Sequence, residues 1–400
     1  MTPLVLRQFT ATSSIGRGLR ATLESLRAQR SGLSRCAFET VTLETYIGEV
    51  PGVDDVRLPT ALQRFDCRNN RLALLGMAED GFIDAVAACV GRWGRQRVGL
   101  FLGTSTSGML ETEIAYRRRD AQTGALPAHF DYAGTHNTYS LAAFAREVLA
   151  LEGPSAVVSS ACSSSAKVFG SARRMIAAGL IDAAVVGGVD SLCLTTLYGF
   201  HSLQLVSREP CKPFDVARDG ISIGEAAAFA LIERAPESLD REDILLLGVG
   251  ESSDAYHMSS PHPEGRGARA AMLQALAGAG LTAQDIDYIN LHGTGTPSND
   301  TAEGKAVAAV FADRAQAVAA SSTKGATGHT LGAAGALEAV ICALALRHGL
   351  LPGGAHTRRV DPALGFDYLC ANRDRPISRA LSNSFGFGGS NCALVLGRAR

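Results

Sequence analysis

Cys162 stands in the run Val157-Val-Ser-Ser-Ala-Cys162-Ser-Ser-Ser-Ala166, between a short apolar stretch and an Ala-rich helical one. A cysteine at the start of a helix feels the positive end of the dipole and free N–H groups. Both favour the thiolate, the form that attacks carbonyl carbons. Small neighbours leave room for a thioester to approach. The alternative is a buried structural cysteine, and a lone Ala-Cys-Ser by itself favours that alternative.

Two further segments carry polar side chains on glycine-rich turns. His292 opens His-Gly-Thr-Gly-Thr-Pro297 directly after an apolar run. A histidine at the carboxyl end of a strand, backed by two glycines and two hydroxyls, suits a loop that faces a ligand; a histidine capping its own turn is the other reading. Lys324-Gly-Ala-Thr-Gly-His329 opens a long apolar helix. Lysine is scarce in this chain, occurring only at 167, 212, 305 and 324. A lysine in apolar surroundings uses its compact ammonium or its labile proton, and Glu338 lies about four helical turns on. A solvated turn lysine is the bland alternative. Asn383-Ser-Phe-Gly-Phe-Gly-Gly-Ser390 precedes the last apolar run. It lacks G-x-x-x-x-G-K-[ST], so it is not a phosphate loop. Its glycines can aim backbone N–H groups into a cavity, as an oxyanion hole requires. A nucleophile, two histidines and an N–H donor loop, without a metal-ligand set, suit acyl transfer through a cysteine thioester.

Positioning these groups takes a large core. The chain has 400 residues, 46% hydrophobic and 19% charged, which excludes disorder as the main state. Net charge is −1, so the basic excess of a nucleic-acid binder is absent. The nine cysteines are scattered, and none forms C-x-x-C. They read as reduced thiols of a cytoplasmic protein, and a zinc site is not expected. The start of the chain shows no charged-then-apolar signal pattern, and no uncharged apolar run long enough for a membrane span occurs. Gly187-Gly188 lacks G-x-G-x-x-G, so no dinucleotide site is expected.

Short β-branched runs alternate with Ala-rich stretches. Strands are predicted over 98–102, 156–159, 183–186, 227–232, 245–249, 288–291, 317–320 and 392–396. Helices are predicted over 68–89, 141–151, 163–178, 267–279, 300–311 and 332–347. This alternation argues for an α/β fold with buried sheets. A weak internal repeat accompanies it. The segments 157–179 and 318–344 each read as strand, Ser/Gly-rich turn and Ala-rich helix.

With these motifs in order, the chain resembles the β-ketoacyl-[acyl carrier protein] synthases of types I and II. The carriers of the resemblance are Ser-Ser-Ala-Cys162-Ser-Ser-Ser-Ala, Pro213-Phe-Asp-x-x-Arg-Asp-Gly220, Ser253-Asp-Ala-Tyr-His-Met258, His292-Gly-Thr-Gly-Thr-Pro297, Lys324-Gly-Ala-Thr-Gly-His-Thr-Leu-Gly-Ala-Ala-Gly335 and Asn383-Ser-Phe-Gly-Phe-Gly-Gly389. The resemblance implies a thiolase-like fold of two βαβαβαββ halves in a five-layer αβαβα arrangement. The first half, 1–240, would hold Cys162, and the second, 241–400, the two histidines. It implies that Cys162 takes the acyl chain, that His292 and His329 serve malonyl decarboxylation, and that Lys324 with Glu338 supports them. The amides of Cys162 and Phe387 would form the oxyanion hole. Phe387, with Phe385, Phe200 and Met109, would gate and line the acyl pocket, and Thr294, Thr296 and Ser260 would meet the phosphopantetheine arm. No metal or other cofactor is implied. The expected partners are an acyl carrier protein and a second subunit, either identical or a related ketosynthase or chain-length-factor chain. Arg64, Arg68 and Arg71, spaced as one helical face, are expected to dock the acidic carrier; Arg117-Arg118-Arg119 is a second basic cluster.

Some positions depart from the family pattern. Ile221 stands where an aromatic residue is usual, Ala226 where glycine is usual, and 200–213 is short. These bear on chain length. The stretch 103–113 is similar to synthases of aryl polyene pigment clusters. A thiolase would carry a second cysteine where Phe387 and Gly388 stand, and a type III synthase would carry asparagine in place of His329. A chain-length factor, the non-catalytic rival, would lack a nucleophile at 162.

Overall fold

The computed structural model describes residues 2–399. Its first five main strands are β1 (Leu4–Ser13), β2 (Val98–Gly103), β3 (Ser155–Val158), β4 (Ala183–Asp190) and β5 (Ala226–Arg234). Five more follow: β6 (Ile244–Ser253), β7 (Tyr288–Asn290), β8 (Ala319–Ser321), β9 (Arg379–Gly386) and β10 (Ser390–Arg398). The first set pairs in the order β3-β2-β4-β5-β1, the second in the order β8-β7-β9-β10-β6. In each set the first three strands of that order are parallel and the rest antiparallel. The two halves therefore share one topology. They meet where Leu4–Leu6 of β1 pairs with Ile244–Leu246 of β6.

Helices fill three further layers. On the outer face of the first sheet lie α1 (Arg68–Met77), α2 (Phe82–Trp93) and α3 (Tyr139–Leu149), in one apolar cluster with β2, β4 and β5. Between the sheets lies α4 (Ser164–Ala177). The outer face of the second sheet carries α5 (Arg266–Ala279) and α6 (Pro297–Val310). The last helix, α7 (Ala334–His348), returns to the centre beside α4. This is the five-layer thiolase-like arrangement.

The repeat seen in the sequence is the pair α4 and α7, each entered from a parallel strand through a Ser/Gly turn. Every residue of α7 from Ala334 to Leu346 is buried. A helix apolar all round belongs at the centre of a large protein, which is how the longest apolar segment, Leu331–His348, is disposed. Gly335 shows why small residues dominate here. A Cβ on it would lie 2.6 Å from the Ala166 backbone nitrogen, so the two helices touch backbone to backbone.

The predicted strands fall inside observed ones to within a residue or two. The predicted helix 68–89 is two helices, broken where Asp80 and Gly81 take positive φ (55° and 66°). The periodic apolar pattern runs on across that break and conceals it. β1, β9 and the helices Gly18–Arg27, Met109–Arg117 and Leu194–Ser202 were not expected from sequence.

Candidate active site

The carboxyl ends of the parallel strands from both halves converge, as the switch-point rule for open α/β sheets leads one to expect. Cys162 follows β3, His292 follows β7, Lys324 and His329 follow β8, and Phe387 lies between β9 and β10. All but Phe387 are buried. The Cys162 Sγ is 3.1 Å from His329 Nε2. The His292 and His329 rings meet edge to face with centroids 5.2 Å apart. Residues 162, 292 and 329 together bring donor atoms within 4.8 Å of one another. That spacing would also admit a metal ion, but the Lys324 ammonium, 3.4 Å from His292 Nδ1, opposes a cation there.

Lys324 explains how His292 is held. Its Nζ donates to the His292 carbonyl oxygen (2.6 Å), contacts His292 Nδ1 and pairs with Glu338. An ammonium has only protons to give, so Nδ1 must accept, and the His292 ring proton sits on Nε2. Glu303, not expected from sequence, fixes the same residue from the other side. Its carboxylate accepts from the His292 and Gly293 amides at 2.8 and 2.7 Å and from Asn383 Nδ2 at 3.0 Å. Burial pushes Glu303 and Glu338 up to about 7, against those bonds and the neighbouring ammonium respectively. Burial also holds both histidines well below the usual range, with Lys324 adding to it, so they are neutral donors or acceptors at physiological pH.

The cysteine departs from the sequence expectation. Cys162 precedes Ser163, the cap of α4, yet its thiol is pushed up to about 11. Burial is the largest cause. The opposing pull comes from Lys324 and from the backbone N–H groups of Phe387 and of Cys162 itself, which lie against the sulfur. At rest the pair is a neutral thiol beside a neutral imidazole. The helix end alone does not make a thiolate once water is excluded.

The Phe387 loop reaches the sulfur because Gly386 permits it. A Cβ there would lie 2.9 Å from the Ser160 oxygen and 3.2 Å from the Cys162 nitrogen. The loop turns through Gly388 and Gly389, both at positive φ, and the Gly388 amide donates to the Met258 oxygen at 2.7 Å. A cleft opens over the three residues. Thr294, Thr296 and Ser260 line it, as do Phe385, Phe387 and Phe200. The Phe200 and Phe387 rings are 5.5 Å apart. Met109 does not line the cleft. It packs behind, in the apolar cluster with Phe200 and Ile221, so its expected place in the pocket wall is corrected to the layer beyond it.

The arginine docking face is also corrected. Arg64 lies in a separate turn, Thr60–Phe65, exposed over the Phe65 ring. Arg68 is only 2% exposed and makes a two-pronged pair with Glu225 (3.0 and 2.7 Å), with Asp54 and Glu49 beside it. Arg71 pairs with Asp66 at 2.6 and 2.9 Å. The three share no free face, because the chain breaks between 65 and 68 and the middle arginine turns inward to neutralise a buried glutamate. Asp190, at the end of β4, is, after Glu303 and Glu225, a third buried carboxylate that the sequence did not signal. A lone Asp or Glu among apolar residues reads like any surface acid.

A buried cysteine beside two neutral histidines, with backbone N–H groups at the sulfur, in a two-half thiolase-like fold, defines a cysteine-dependent acyl-transfer enzyme. Residues 77–238 match the β-ketoacyl synthase N-terminal domain and 245–358 its C-terminal domain. The chain belongs to the β-ketoacyl synthase family, the condensing acyltransferases. It is 36% identical over 305 residues to nodulation protein E of Rhizobium meliloti (strain 1021), covering 75% of each chain. It is 41% identical over 260 residues to 3-oxoacyl-[acyl-carrier-protein] synthase 2 of the same organism, covering 62% of each. A solved ketosynthase in complex with its chain length factor, from Xenorhabdus doucetiae, has a chain that superposes with a TM-score of 0.88 at 37% identity, covering 100% of this chain and 98% of that one.

Proposed function

We propose that this chain is the catalytic subunit of a condensing enzyme that extends an acyl group on Cys162 with malonyl units, both delivered on an acyl carrier protein. The observation that carries the reading is the 3.1 Å contact of Cys162 Sγ with His329 Nε2 under the Phe387 and Cys162 amides. In loading, the thiol attacks the acyl thioester carbonyl and passes its proton to His329. The two amides hold the oxyanion, and the carrier's thiolate leaves and takes that proton back. In condensation, malonyl thioester loses CO₂ and its enolate oxygen is met by the Nε2–H of His292 and by His329 with its ring proton on Nε2, the tautomer it takes once Cys162 is acylated and has no proton to give. The enolate carbon attacks the acyl-Cys carbonyl, and the Cys162 thiolate leaves and takes up one proton from water by way of His329. No step calls for a further cofactor.

Thr294, Thr296 and Ser260 mark the wall along which a phosphopantetheine arm would run. The intact Cys162, His292 and His329 favour a catalytic role over a chain-length-factor role. The ketosynthase and chain-length-factor pair from Xenorhabdus doucetiae supports a related, non-identical second subunit, and the pigment-like stretch 103–113 supports a polyketide-type product. All nine cysteines are free, which supports a reducing, cytoplasmic setting. Reconstitution tests this. Purified protein, alone and with a co-expressed related subunit, is given acyl-carrier and malonyl-carrier. Release of CO₂ with a carrier-bound β-ketoacyl product supports the reading. Absence of both, with either subunit arrangement, overturns it.

A further inference from the structure

Asp190 is wholly buried and, among the described residues, makes no ion pair. Instead it gathers donors from two separate segments. Oδ1 accepts from Thr104 Oγ1 (2.7 Å), from the Ser105 and Thr106 amides (2.8 and 2.9 Å) and from Thr106 Oγ1 (2.9 Å). Oδ2 accepts from the Ser105 hydroxyl and from the Gly332 amide at 2.5 Å. The first segment belongs to the first half of the molecule. Gly332 belongs to the second half, three residues beyond His329.

The His329 side chain lacks the usual means of fixing an imidazole. Its Nδ1 is buried with no hydrogen-bond partner among the described residues. Its backbone is pinned on one side, where the His329 amide donates to the Ser222 oxygen (2.7 Å) and the Gly224 amide to the His329 oxygen (3.0 Å). The chain then passes through Leu331 at φ 51°, a conformation that costs a branched residue about 1–2 kcal/mol. Something must hold that turn, and the next residue's amide is the one bonded to Asp190. Gly332 is needed for the contact: a Cβ there would sit 2.8 Å from Asp190 Oδ2.

We propose that Asp190 is a positioning residue for His329. It anchors the strap His329–Gly332 across the interface of the two halves, and so aims Nε2 at the Cys162 sulfur. This rests on the proposed condensing function for its effect on turnover, but not for its effect on the cysteine. The carboxylate's negative charge also lies close enough to resist ionisation of Cys162, as Lys324 favours it. With both histidines neutral, Asp190 and Lys324 are the charged groups facing the thiol.

Two variants separate the strap from the charge. Asp190→Asn points an amide N–H at donors, which breaks the Gly332 contact and removes the charge. Gly332→Ala pushes the strap off the carboxylate and keeps the charge. The readouts are kcat and KM for malonyl-carrier decarboxylation and the pH dependence of Cys162 alkylation by iodoacetamide, each on folded material of the same assembly size as the parent. Both variants are expected to lose ten- to a hundred-fold in kcat with KM within about two-fold. The alkylation midpoint should fall in Asp190→Asn and stay in Gly332→Ala. Should the parent protein show no decarboxylation, the condensing reading fails, while alkylation still judges the anchor: with His329 no longer aimed to take the thiol proton, Gly332→Ala is expected to react several-fold more slowly than parent at neutral pH with its midpoint unmoved, and a parent-like rate in Gly332→Ala would overturn it. Where the parent is active, kcat within two-fold of parent in both variants would overturn it too. If Asp190→Asn does not fold, Gly332→Ala with parent-like kcat suffices to overturn it.

Discussion

Replacing Lys324 by methionine keeps the volume and removes the ammonium, and its cost can be worked from the contacts. Two bonds to His292 vanish, at the carbonyl oxygen and at Nδ1, and Glu338 loses its partner while staying 2% exposed. Hydrogen bonds to a charged group are worth about 1.5–3 kcal/mol each when the partner is left buried, less where a neutral group relaxes, so a loss of about 2–3 kcal/mol is expected where Glu338 is protonated. The pH dependence follows from Glu338. Its folded value is raised to about 7, above the unfolded value of about 4.3. A raised value means the stability it contributes is present below the unfolded value and is lost as pH rises through the folded one. In the parent that loss is complete near pH 7. Without Lys324, which pulls Glu338 down, the folded value rises further and the loss continues. The gap between parent and variant should therefore widen by about 1.4 kcal/mol per pH unit above 7, reaching about 4–5 kcal/mol near pH 8.5, the upper part of the range for a broken buried pair. At roughly 0.8 kcal/mol per degree for 400 residues, that is a melting point about 5–6 °C lower. Melting curves at pH 6 and pH 8.5 give the gap, and malonyl decarboxylation reports the freed His292 tautomer. Equal melting at both pH values with unchanged decarboxylation would refute the pairing argument.

Three other outcomes follow from the same geometry. Gly386→Ala should fold but slow Cys162 acylation about 10²–10³-fold, because its methyl drives the Phe387 amide off the sulfur and one oxyanion donor is lost; parent-like acylation would contradict it. Arg68→Met should lower stability by about 3–5 kcal/mol and leave KM for carrier substrates unchanged, since it strands the buried Glu225 instead of altering a docking face; a raised KM in a parent-stable protein would restore the docking role. Cys162 alkylation should climb about tenfold per pH unit from 7 to 10 without levelling near the 8.5 of an ordinary thiol, because burial holds the sulfur up to about 11. A plateau below pH 9 would show a pre-formed thiolate.

Much of the site was legible because each reactive group follows a strand on a turn of glycine and small hydroxyl residues. Such turns stand out against apolar runs, as around Cys162, His292 and Lys324. The internal repeat was legible for the same reason, since α4 and α7 both need small residues to touch. Acidic supports were not. Glu303, Glu225 and Asp190 are defined by what folds onto them from 10 to 175 positions away, and nothing in the adjacent residues signals burial. β9 was hidden because its Ser382, Asn383 and Ser384 are polar yet buried, so the strand reads as a loop. The arginine face failed because helical spacing across 64–71 presumes one helix, whereas the chain changes from a tight turn to α1 between Phe65 and Arg68.

Cys162 is the acyl acceptor on which every proposed step depends, and peptide mapping by mass spectrometry after incubation with an acyl-carrier thioester tests that most directly. The expected result is a single acyl adduct, on the peptide bearing Cys162, absent from Cys162→Ala and present at slower rate in His329→Ala. An adduct on another of the nine cysteines, or one that persists in Cys162→Ala, would contradict it.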